Sequence, residues 1–113
     1  MRYLLLGMIT ESGQQLPGPD LEAWMAEIGA WYEKQGAAGT LADPGHQLAG
    51  PETARTIRAS GVTDGPFMEA KEVLGGYSLL ETATIEQAVE IAGTWPGVSA
   101  GWITMEVRPV MAM

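Results

Sequence analysis

No segment narrows the folds open to this chain more than its opening run, RYLLLGMI from Arg2 to Ile9. Apolar side chains there occupy successive positions instead of alternating, so an extended strand presents them on both of its faces. Such a strand belongs in the middle of a sheet that is covered on both sides. As a secretory signal the run is at the short limit. Glu11 follows at once, and no small-residue cleavage pattern appears. No stretch approaches the ~20 apolar residues of a membrane span. The chain has no cysteine, which excludes disulfides, thiol catalysis and thiolate metal sites. A cytoplasmic location is the expectation that fits.

The rest of the chain supplies what a buried central strand needs. A polar loop is predicted from Glu11 to Gly18, then a helix starting at Pro19, where a missing N–H costs nothing. Leu21, Trp24, Met25, Ile28, Trp31 and Tyr32 recur at helical spacing, and Gly36 is the predicted stop. The stretch from Gly36 to Gly50 reads as mostly loop, with a short extended piece around His46 to Leu48. Thr53 to Ala59 reads as a short strand, and Gly61 to Pro66 as a turn built on Asp64-Gly65. Val73 to Glu81 reads as a strand whose Gly75-Gly76 pair marks a bulge or a close approach. Thr84 and Gln87 have capping-box spacing before a helix carrying Ile85, Ala88, Val89 and Ala92 on one face, ended by Gly93 and Pro96. A last alternating strand follows. It turns Trp102, Thr104, Glu106 and Arg108 one way and Ile103, Met105 and Val107 the other.

This order predicts one α+β domain over residues 1–113, a ferredoxin-like split βαβ sheet with both helices on one face. The other face, bearing Trp102 and Tyr77, calls for a second subunit, hence a homodimer. Fourteen acidic against six basic residues give a net charge of −8, which argues against nucleic acid as a partner. A membrane partner is not expected either.

The string VTDGPFMEAKEVLGGYSLLE from Val62 to Glu81, with RYLLL at the start and MEVRPV from Met105 to Val110, resembles the YCII-related, DGPF-type family. The resemblance covers nearly the whole chain. It implies a dimeric α/β barrel in which two ferredoxin-like sheets pack face to face. It further implies kinship with cofactor-independent isomerases, dehydrochlorinases and monooxygenases of small organic molecules. An association with extracytoplasmic-function sigma factors, as a regulatory module, is the alternative it implies. Two departures stand out. The segment between Thr53 and Val62 is shorter than is usual in the family. The histidine that some relatives carry in the first helix, as half of a His-Asp pair, is absent.

Six positions, with Glu69 beside them, are candidates for chemistry. Asp64 is either a turn cap or a catalytic carboxylate. His46, the single histidine, is either a general base or a solvated loop residue. Glu69 and Lys71 lie two apart and form either a solvated pair or a ligand contact. Arg108 pairs with Glu106, with a partner subunit, or with a ligand anion. Tyr77 and Trp102 are expected to wall a cleft between the sheets. One histidine, no cysteine and scattered carboxylates argue against a metal centre. The segment GPETARTIRASG lacks the Lys-Ser/Thr ending of a phosphate loop, so no cofactor is expected.

Overall fold

The computed structural model describes residues 1–66 and 71–112. Its elements are β1 (Arg2–Ile9), α1 (Glu11–Gln14), α2 (Gly18–Ala38), β2 (Leu41–Gln47), β3 (Arg55–Arg58), β4 (Gly61–Asp64), β5 (Val73–Glu81), α3 (Ile85–Gly93) and β6 (Ile103–Pro109), with a 3₁₀ turn at Pro51–Thr53. The apolar opening run is indeed an inner strand. The main sheet is antiparallel throughout, in the order β2-β5-β1-β6. The connection through α2 therefore passes over β5, and the one through α3 passes over β1.

Alternation along β1 sorts the side chains between two faces. Tyr3 and Leu5 are buried under the helices. Leu5 lies opposite Ser78 on one neighbour and Val107 on the other, and Gly7 opposite Gly76 and Met105. On this face they join Trp24 and Trp31 of α2, Ala88 and Ala92 of α3, and Trp95 in one core. Burying each large side chain of that cluster stabilises the fold by roughly 1.5–3 kcal/mol. The indoles are anchored at their polar ends as well: Trp24 Nε1 donates to the Pro96 carbonyl at 2.7 Å and Trp31 Nε1 to Thr94 Oγ1 at 2.9 Å. The opposite face carries Leu4, Leu6 and Met8, flanked by Leu79, Tyr77 and Leu74 of β5 and by Arg108, Glu106 and Thr104 of β6.

Four local structures differ from the sequence reading. Residues 11–14 form a short helix instead of loop, because Thr10 caps it by accepting from the Gly13 N–H at 3.2 Å while donating to the Gly101 carbonyl. α2 continues through Gly36 to Ala38 and stops at Gly39, whose φ of 77° is the left-handed conformation that closes a helix. An interior glycine costs a helix only about 1 kcal/mol, so Ala37 and Ala38 extend it. β2 is a strand of seven residues, hidden in the sequence by a bulge at Pro44-Gly45. Finally, Asp64-Gly65 is the exit of the β3–β4 hairpin and not its tip, because the register Arg58↔Gly61 puts the reversal at Ala59-Ser60. Gly65 (φ 94°) then donates its N–H to the Ala54 carbonyl. Phe67, which follows this segment in the Val62–Glu81 string, lies outside the described residues.

α3 forms as its capping signal demands. Thr84 Oγ1 accepts from the Gln87 N–H at 3.3 Å, and the Gln87 side chain accepts from the Ala83 N–H at 2.9 Å.

Candidate functional site

A sheet lined with glycine cannot close against a helix. Gly7, Gly75 and Gly76 put no side chain where β1 and β5 pass beneath α2, and Gly75 is the extra residue of a bulge, between Gly76 opposite Gly7 and Leu74 opposite Met8. A cavity of about 340 Å³ remains there. Trp24, Met25, Ile28 and Tyr32 roof it from α2, and Leu5, Ile103 and Met105 form its apolar floor. The described lining contains no carboxylate, lysine or arginine.

Besides Gln47, two polar groups interrupt this apolar wall. One is at the edge strand. The bulge in β2 is held by the Gly45 N–H donating to Asp43 Oδ1 at 2.8 Å, and it re-aims the following residue. His46 is thereby brought opposite Tyr77, with its Nδ1 2.9 Å from the Tyr77 hydroxyl. Gly45 sits at φ 68°, and a Cβ there would overlap the Tyr77 carbonyl oxygen. The other group is deep. Ser78 is only 1% exposed, on the helix face of β5, and its Oγ lies 2.6 Å from the Tyr32 hydroxyl. Trp95 Nε1 donates to that same Tyr32 oxygen at 3.4 Å.

The residues singled out in the sequence are distributed unevenly around this cavity. His46 and Tyr77 meet and both belong to its lining, although Tyr77 is on the helix-free side of β5 and 37% exposed. Arg108 lies on the helix-free face of β6, 68% exposed, with Nη2 2.6 Å from Glu106 Oε2. Lys71 stands at the other end of β5, where its carbonyl accepts from Gln14 Nε2, beside Glu11 and Glu72. Asp64 is on the hairpin, its side chain 88% exposed and 3.1 Å from Arg55 Nε. Trp102 does not share the face of Thr104 and Arg108 as its spacing suggested. It precedes β6, outside the strict alternation of the strand, and its ring packs edge-on against Trp24 with centroids 5.6 Å apart. Glu69 lies outside the described residues.

Among the described residues, no group of three or more His, Cys, Asp or Glu is placed to hold a metal ion. None of their helices is long and apolar enough to cross a membrane. Remote from the cavity, the Met1 amino group, 2.7 Å from the exposed Glu81 carboxylate and hydrogen-bonded to it, lowers that group below its ordinary 4.5.

Sequence reading missed Tyr32, Ser78 and Trp95 as site residues, having placed the aromatics of α2 in the core. A signal was present in Ser78. It lies two residues from Leu80, hence on the same covered face, and a polar side chain at a core position needs a partner or a task.

An antiparallel sheet backed by two helices, with an apolar cavity beneath one of them, defines a small α+β protein with a ligand-sized pocket. The YCII-related domain family matches residues 1–113, and the chain belongs to that family. It is similar to the uncharacterized protein R00369 of Rhizobium meliloti (strain 1021), 33% identical over 93 residues that cover 79% of this chain and 74% of the relative.

Proposed function

We propose that this protein is a cofactor-independent enzyme that takes a small organic molecule, aromatic or similarly apolar in its body, into the cavity beneath α2 and moves a proton on it through His46. The observation that carries this reading is the 2.9 Å hydrogen bond between His46 and Tyr77, two exposed side chains at the β2–β5 edge that belong to the lining of an otherwise apolar cavity. Imidazole suits proton transfer, because one ring nitrogen can carry a proton while the other accepts one. With its Nδ1–H donating to the Tyr77 oxygen, its Nε2 holds a free lone pair and serves as general base. Tyr77 is then the positioning residue that fixes the ring. Arg108 and Lys71, first considered as contacts for a ligand anion, stand away from this cavity, so its occupant is neutral or carries its charge outward. Asp64, on the hairpin with Arg55, fits the turn-end role better than an acid–base one.

The same proposal includes a cytoplasmic homodimer with the architecture of a dimeric α/β barrel. Its support is the strand order β2-β5-β1-β6, which is that of a ferredoxin-like split βαβ sheet, together with the apolar helix-free face bearing Leu4, Leu6 and Leu79.

The test uses ligand NMR in deuterated buffer with small aromatic ketones and phenols. Binding should perturb the Trp24 and Trp95 indole resonances, and the protein should catalyse exchange of the ligand's acidic C–H protons. His46→Ala should keep the binding and lose the exchange. If no member of the panel perturbs either indole, the cavity is not a ligand site and the proposal falls. A second reading, a non-enzymatic binding or regulatory module of the kind linked to sigma factors, is favoured by the absence of any carboxylate, lysine or arginine among the described lining residues. Binding without exchange in the unaltered protein selects it.

A further inference from the structure

The deep polar group of the cavity has one hydrogen-bond donor more than it can satisfy internally. Trp95 Nε1–H only donates, whereas the hydroxyls of Tyr32 and Ser78 each carry one proton and accept through oxygen. Trp95 donates to the Tyr32 oxygen, and Tyr32 and Ser78 share one bond at 2.6 Å. Three donors therefore make two bonds. Neither hydroxyl has a further partner among the described residues. If Tyr32 donates to Ser78, the Ser78 proton is left over; if Ser78 donates, the Tyr32 proton is. In both arrangements an O–H remains free within an apolar chamber, at side chains that line it. The hydroxyls sit on separate elements, β5 and α2. The Trp95 indole lies against the Tyr32 ring, with centroids 6.2 Å apart, and fixes the Tyr32 oxygen from behind.

We infer that Ser78 and Tyr32 form a recognition site for a ligand oxygen, so that the occupant is a molecule with a carbonyl or equivalent acceptor on an apolar, ring-sized body. The inference rests on the cavity being a ligand site, as proposed above. A donor held in place in an apolar chamber is costly to leave unpaired, and an acceptor on a ligand that fills the apolar walls satisfies it.

The experiment compares acetophenone with α-methylstyrene, in which a CH₂ replaces the carbonyl oxygen at nearly constant shape. Acetophenone should bind about three- to tenfold more tightly, the range of one neutral hydrogen bond. Its C=O stretch should fall in frequency on binding, relative to the same molecule in hexane. Ser78→Ala and Tyr32→Phe should each reduce both differences while leaving α-methylstyrene affinity unchanged. Because the frequency shift is read in the unaltered protein, the inference stays testable even if a variant folds poorly. Equal affinities with an unshifted carbonyl overturn the oxygen site and leave the cavity standing. If neither molecule binds, the ligand-site reading itself is overturned, and this inference with it.

Discussion

At the scale of single residues, the site depends on hydroxyl groups more than on charges. The charged candidates are held by exposed neighbours: Arg108 by Glu106 and Asp64 by Arg55. Pairs of that kind contribute about 0.2–1 kcal/mol and are screened by salt. Tyr77 is different, since its hydroxyl decides how the His46 ring is presented. Tyr77→Phe removes that bond with almost no change of shape. The expected outcome is a change in the ¹⁵N shifts of the His46 imidazole, which report the nitrogen that carries the proton, with a melting temperature within a degree or two of the original. Identical ¹⁵N shifts in the two proteins would mean that the 2.9 Å bond does not form in solution, and His46 would then lack its positioning partner.

At the scale of elements, the bulge in β2 links fold to site. Gly45→Ala asks an L residue to take φ 68° and sets a methyl group against the Tyr77 carbonyl. Strain of about 1–3 kcal/mol for the left-handed backbone alone is joined by that overlap, so the edge strand should detach before the core does. Amide exchange should speed up at Leu41–Gln47 while β1 keeps its protection; uniform protection in both strands would refute the role given to the bulge. α3 offers a calibrated comparison. Thr84→Ala deletes the cap to Gln87 and should cost about 1 kcal/mol in denaturant unfolding, with no effect on ligand affinity.

These two elements also show what the sequence made legible. α3 was readable because Thr84, Gln87 and Gly93 are local signals, and β5 because strand-forming residues, Val73 and Leu74 before and Tyr77, Leu79 and Leu80 after, bracket the glycine pair. β2 was not, since Pro44 and Gly45 are turn residues wherever they occur, and only pairing with β5 makes them a bulge. Of the site, His46 and Tyr77 were picked out individually, but their contact depends on that hidden pairing. The deep group was invisible because Tyr32, Ser78 and Trp95 come from three parts of the chain, joined only by tertiary packing.

At the scale of the whole molecule, the described chain leaves one sheet face to solvent. β1 is apolar at every position from Tyr3 to Ile9, yet the helices cover only Tyr3, Leu5 and their neighbours on one side. The radius of gyration is 15.2 Å, against about 13 Å for a compact domain of this length. The hairpin contributes to that spread, with Ile57 and Val62 79% and 64% exposed. A homodimer through the Leu4–Leu6–Met8 face predicts twice the 12.0 kDa chain mass in sedimentation. Leu6→Glu should convert it to monomer, because a lone carboxylate buried between apolar sheets is strongly unfavourable. The salt dependence gives the sharper test. Each chain carries a net charge of −8, so two copies repel, and an apolar contact has no ion pairs to oppose that repulsion. Raising the ionic strength from 0.01 to 0.15 M shortens the screening length from about 30 to about 8 Å. The dimer should therefore tighten with salt. Association that weakens instead would point to Arg108 and Glu106 pairing across the interface, and would move the main source of dimer stability from the leucines of β1 to the charges of β6.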